Sequence, residues 1–188
     1  MKIFNAGSLI VAFVAANLTS FAAGRNLTVD KAASHVDIAV KATIDSFNAK
    51  LIDFTSSIQI DPETEIVKGA KVSFHFADVK TGNDKRDHEM NMWQKTDQFP
   101  DGAFELSTLT AASDHKFTAR GSLILHGVAH ALEFPVTIRR EGALTSVDGE
   151  AAVDTRWFGL PLIRKFALLK VDPLIVVRFH LSGTIAGQ

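Results

Sequence analysis

From Val36 to Ile185 most of the sequence alternates apolar and polar residues with period two, and helical periodicity is confined to short stretches. Successive side chains of a strand point to opposite faces, so this alternation buries one face and wets the other, as antiparallel sheets do. Val36, Ile38 and Val40 share one parity, with Asp37 and Lys41 on the other; Phe54, Ser56, Ile58 and Ile60 repeat the pattern. Val72, Phe74 and Phe76 then oppose Lys71, Ser73 and His75. Further strands are predicted over 103–111, 116–126, 131–140 and 146–155. A last one, over 174–185, turns Ile175, Val177, Phe179, Leu181 and Ile185 away from Arg178, His180, Ser182 and Thr184, and starts after Pro173, where a missing N–H is tolerated. Asp61-Pro62-Glu63 reads as a turn, because Pro presets φ and Asp can bond its own downstream backbone. The count is about eight strands, a number that can close into an antiparallel barrel around side chains or one small ligand while removing exposed edges.

Two stretches break the alternation. Residues 81–95 are highly polar with Met90 and Trp93 three apart, which suits a short helix laid across a barrel end. Residues 158–170 are apolar with Arg164 and Lys165, and are expected as a loop or single helical turn at one rim. The chain contains no linker, low-complexity tract or internal repeat, so the strands form one domain. A barrel embedded in a membrane would carry Trp and Tyr belts, but the chain has no Tyr and only two Trp, Trp93 and Trp157. A water-soluble barrel is therefore expected. A formal charge of −1 argues against a nucleic-acid partner, and the absence of Cys removes disulfides and thiolate chemistry.

The N-terminus reads as a secretory signal. Met1-Lys2 is a positive start, residues 8–16 are an apolar run too short to span a bilayer, and Ser20 and Ala22 offer small residues for processing. Cleavage after Ala22 would leave 23–188 as the mature domain, in the periplasm or secreted.

Candidate chemistry is sparse. No Gly-x-Ser-x-Gly elbow occurs, and His126-Gly127-Val128-Ala129-His130, the one close His pair, is expected to flank a turn rather than hold a metal. His75 is expected to face solvent. Residues 84–89 (DKRDHE) form the densest charge cluster, readable as a solvated helix face or as the polar mouth of an apolar cavity. For the mouth the candidates are Asn83, Arg86, Asp87 and His88. For the apolar lining they are Phe54, Phe74, Phe76, Phe117, Phe134, Phe179, Trp93 and Val177. The same side chains could fill a solid core, since alternation is blind to a hollow centre. Of fourteen Phe, Phe4, Phe13 and Phe21 belong to the signal, leaving eleven for the barrel and no Tyr hydroxyl in need of a partner.

Several segments together resemble the YceI-like family of secreted, lipocalin-like, polyisoprenoid-binding proteins. Val29-Asp30 with Ser34-His35-Val36 resembles its opening strand, and Asp53-Phe54-Thr55 through Asp61-Pro62-Glu63 its second strand and turn. Thr81-Gly82-Asn83 with Lys85-Arg86-Asp87 is similar to its TGNxKRD segment, Phe99-Pro100 and Phe104 to its next strand, and residues 123–128 (LILHGV) to its hairpin. The segment 157–170 is the least family-like part. The resemblance implies a closed antiparallel eight-stranded lipocalin-like barrel, with one or two short helices in the connections, that holds a long isoprenoid tail such as that of a quinone or polyprenyl phosphate. It implies a binding protein with no catalytic residue, cofactor or metal; the competing readings are an enzyme acting on an apolar substrate through Arg86, Asp87 and His88, and a filled structural barrel. Monomer or homodimer is left open.

Overall fold

A computed structural model describes residues 25–61, 66–165 and 169–185. The signal segment 1–22 and the Pro62-Glu63 part of the predicted turn lie outside the described residues. In chain order the elements are β1 (Arg25–Val29), β2 (His35–Val40), β3 (Phe47–Leu51), β4 (Thr55–Ile60), β5 (Val67–His75), β6 (Val79–Lys80), α1 (Asp84–Gln94), β7 (Asp101–Ser113), β8 (Lys116–Leu125), β9 (Val128–Glu141), β10 (Leu144–Asp154), β11 (Arg164–Lys165), β12 (Leu169–Lys170) and β13 (Leu174–Ile185).

Eight strands close an antiparallel ring in the order β1-β4-β5-β7-β8-β9-β10-β13, with β13 pairing back onto β1. The ring has the expected number of strands but not the expected membership. One edge of β13 is shared: residues 176–180 pair with β2 and residues 183–185 with β1. β2 therefore leads outward to β3 and β6 as a flap continuing the wall, and the ring is closed by β1. In β1 (RNLTV) and β3 (FNAKL), five residues each, alternation is too short to stand out from neighbouring coil.

The ladder between β9 and β10 stops where the chemistry requires. It runs from Glu141 with Leu144 to Val136 with Gly149, and the next residue on β9 is Pro135, which has no N–H to donate. Beyond it the last residues of β10 diverge and lead into a 3₁₀ turn, Thr155–Phe158, whose Phe158 is wholly buried.

At the same end of the barrel, α1 crosses between strands. Asn83 caps it, accepting from Arg86 N–H at 3.0 Å, and Lys95 closes it in the left-handed region. Residues 155–165 and 169–173 lie there too: of the expected loop or single helical turn over 158–170, the described part is a loop through 160–163 that leads to the short β11–β12 pair, with residues 166–168 outside the described set. His126 and Gly127, both at positive φ, make the β8–β9 turn and His130 lies in β9, so the first His of the pair sits in the turn rather than flanking it. His75 is exposed and paired to Asp101.

Three inward Phe rings lie flat on the wall because glycines make room for them. A Cβ on Gly102 would overlap the ring of cross-strand Phe74, one on Gly149 that of cross-strand Phe179, and one on Gly121 that of Phe104. Rings folded onto the wall leave the barrel axis free.

Candidate functional site

A cavity of about 810 Å³ runs through the barrel. Its wall is built from the inward parity of the strands: Val36 and Ile38 from β2, Val72 and Phe74 from β5, Leu123 and Leu125 from β8, Phe134 and Val136 from β9, Val177 and Phe179 from β13. It reaches Val67, Leu109 and Ile138 toward the β4–β5, β7–β8 and β9–β10 hairpins. At the α1 end it opens, because side chains that line it there, including Asp45, Lys85, Leu162 and Arg164, are also exposed to solvent.

Among the described lining residues, charge is confined to that mouth. Asp45 comes from the β2–β3 connection, Lys85, Arg86 and Glu89 from α1, and Arg164 and Asp172 from the segment before β13. Arg86 sits with its guanidinium 4.2 Å from the centre of the Phe47 ring and donates to Asp45 Oδ2 at 3.2 Å. Met90 and Trp93, one turn apart on α1, face the cavity, and the Trp93 indole N–H donates to the Pro161 carbonyl at 2.8 Å. This bond ties the helix to the segment 159–163, so the two together roof part of the opening.

Of the residues expected to line the interior, Phe74, Phe76, Phe134, Phe179, Trp93 and Val177 do so, and Asn83 and Arg86 stand at the mouth. Phe54 and Phe117 do not. Phe54 precedes β4 and is buried behind Leu51, Ile58 and Val79, which themselves line the cavity; Phe117, near the start of β8, packs against the cluster around Phe134 and Val136 without reaching the lumen. Parity placed both inward, but their height along the barrel did not. Asp87 and His88 are also absent from the wall. Asp87 is buried and accepts from Thr81 N–H at 2.9 Å and Thr81 Oγ1 at 2.6 Å, which ties the helix start to the strand before it, while His88 faces solvent. The residues not singled out from the sequence are Asp45 and the apolar run 160–163, which lie in connections, Phe47 and Arg164, which stand in strands too short to show a period, and Lys85, which lies within the charged stretch 84–89 of α1.

Near the mouth, the Asp154 carboxyl is held below its ordinary value, first by hydrogen bonds from Arg156 and then by the amide at the start of the 3₁₀ turn. Arg156 is correspondingly raised. Among the described residues three buried polar side-chain atoms, Gln94 Oε1, His126 Nε2 and Thr145 Oγ1, have no hydrogen-bond partner. Among the described residues no group of three His, Asp or Glu is arranged to hold a metal ion.

Residues 27–182 match the YceI-like domain. The chain belongs to the YceI-like family. Solved structures place the same fold around it. BcnA of Burkholderia cenocepacia superposes with a TM-score of 0.75 at 22% identity, covering 84% of this chain and 100% of BcnA. A polyisoprenoid binding domain from Saccharophagus degradans, implicated in plant cell wall breakdown, gives 0.67 at 17% identity, covering 86% and 98%. The YCEI protein of Campylobacter jejuni gives 0.62 at 16% identity, covering 75% and 86%. At these identities the likeness shows the fold alone. No curated protein matches the chain. The matched residues of the YceI-like domain begin on β1 and end on β13, the two strands whose pairing closes the ring.

Proposed function

We propose that this chain is a non-enzymatic carrier of an amphiphilic lipid, a polyisoprenoid such as a quinone or polyprenyl phosphate, working in the periplasm once residues 1–22 are removed. The observation that carries the reading is the cavity: an apolar interior of about 810 Å³ whose charged groups all stand at one open end. This is the shape for a tail inside and a head group at the rim. If a methylene fills about as much space as a water molecule, roughly 30 Å³, the cavity holds on the order of 27 carbons, or about five isoprene units. Each buried methylene contributes about 0.8 kcal/mol. A tail of some twenty carbons thus supplies on the order of 15 kcal/mol before ordering, comparable with the upper part of the 4–15 kcal/mol estimated for lost freedom. Hydrocarbon burial thus offsets the cost of ordering, and head-group contacts at the rim add to it. The relative from Saccharophagus degradans, described as polyisoprenoid binding, supports the same ligand class.

The test is gentle purification, solvent extraction and mass spectrometry. Recovery of a prenylated lipid is expected; the absence of any co-purified lipid, with failure to bind prenylated quinones and polyprenyl phosphates added back, overturns the proposal. Cell fractionation with N-terminal sequencing tests the location, the expected mature start being Ala23.

A further inference from the structure

The exposed apolar side chains are not spread evenly over the barrel. Of nine large hydrophobics exposed among the described residues, six stand at the end that carries the mouth: Ile44, Met92, Val128, Trp157, Leu162 and Leu174. Ile44 is 68% exposed, in the β2–β3 connection that reaches the cavity opening. Scattered exposed apolar residues need no explanation, but a set gathered on one end does.

Basic residues are interspersed with them. Lys41, Lys85, Arg164 and Lys170 are exposed on the same rim, and among the described residues none has an ionic partner. The rim carboxylates are mostly engaged inside the protein: Asp45 by Arg86, Asp172 by the Leu174 amide, and Glu89 likewise. Asp84 stands in the first turn of α1, where the helix dipole favours it, and Lys95 and Asp97 beyond the helix add one exposed charge of each sign. The side chains left to meet a partner are therefore apolar and cationic. The placement is also held rigidly, because Thr43 N–H donates to the Lys170 carbonyl at 3.0 Å and Asp172 N–H to the Lys41 carbonyl at 2.8 Å, joining the connection that bears Ile44 to the segment that bears Arg164.

We infer that the mouth-bearing end of the barrel docks onto an anionic lipid bilayer, with Ile44 and Leu162 entering the interface and Lys41, Lys85, Arg164 and Lys170 meeting acidic head groups. The inference rests on the lipid-carrier reading for its occupant: a long isoprenoid is too insoluble to cross water unaided, so a carrier must meet the membrane with its opening. Shallow apolar insertion combined with basic side chains is how proteins lie on, rather than span, a bilayer.

Vesicle flotation tests it, using phosphatidylcholine vesicles with and without phosphatidylglycerol. The protein is expected to float with the anionic vesicles and to be released by salt. Each basic side chain at such a surface is worth roughly a five-fold change in binding, so Lys41→Glu with Lys170→Glu should abolish flotation. Ile44→Asp should weaken it several-fold. Leu144→Asp, at an exposed apolar residue of the opposite end, should leave it unchanged. Because Lys41, Lys170 and Ile44 do not line the cavity, uptake of a short-chain fluorescent prenyl probe from solution should persist in all these variants, which also shows that they are folded. Flotation unaffected by the rim changes, or equally reduced by Leu144→Asp, overturns the inference. So does probe uptake without flotation at any vesicle composition, which would leave the apolar end to a protein partner. Flotation by wild-type protein that takes up no probe would support docking and sink the carrier reading instead.

Discussion

At the scale of single residues, the hollow interior depends on side chains that are missing. Phe74 and Phe179 can lie against the wall only because Gly102 and Gly149 stand opposite them. Gly149→Ala should push the Phe179 ring toward the axis, costing about 1–3 kcal/mol of stability through overpacking and weakening uptake of a prenyl probe. Adding Phe179→Leu should restore part of both, and thermal unfolding with probe titration checks the coupling. The charge cluster on α1 divides the same way. Asp87→Ala removes a buried acceptor shared by two donors of Thr81 and should lower stability by about 1–3 kcal/mol, whereas His88→Ala at a solvent-facing position should stay within about 0.5 kcal/mol. Neighbours in sequence thus differ in consequence because one faces the strand before the helix and the other faces water.

At the scale of elements, the mouth is roofed by pieces that local rules form and tertiary bonds position. The helix was legible in 81–95 from Met90 and Trp93 three apart, and those two are the apolar side chains of α1 that face the cavity. The partner of Trp93 was not legible, since Pro161 lies 68 residues away in a segment without period. Trp93→Phe keeps the ring and loses the N–H; stopped-flow displacement of bound prenyl probe should show faster release, with a stability loss of only about 1 kcal/mol. The 3₁₀ turn at 155–158 is expected to respond to acid. Asp154 caps it and its carboxyl is depressed below 3.8 in the folded state, so its stabilisation is complete above that value and disappears as pH falls through the lower folded value. Denaturant unfolding between neutral pH and pH 3 should show wild type losing stability at the acid end, and Asp154→Asn losing less over the same window because that contribution is already gone.

At the scale of the whole molecule, the proposed carrier role predicts selectivity for length, set by the cavity volume. Affinity in a series of prenyl chains should rise up to about five isoprene units, the length that roughly 30 Å³ per methylene allows, and then level off as further units project from the mouth. Isothermal titration across the series would show the break, and a steady rise well past that length would mean that the barrel expands. Alternation in the amino-acid sequence was enough to establish an all-antiparallel chain, about eight wall strands, the inward set Phe74, Phe76, Phe134, Val177 and Phe179, and a helix across one end, because period and parity are local properties of the backbone. It could not show that β1 rather than β2 closes the ring, that Phe54 and Phe117 stop short of the lumen, or that Asp45, Lys85 and Arg164 meet at one opening. Those outcomes depend on register, on height along the barrel axis and on glycines opposite aromatic rings, which bring together residues more than a hundred positions apart. The empty centre is likewise a property of closure: the same Phe residues would make a solid core if the opposite walls met.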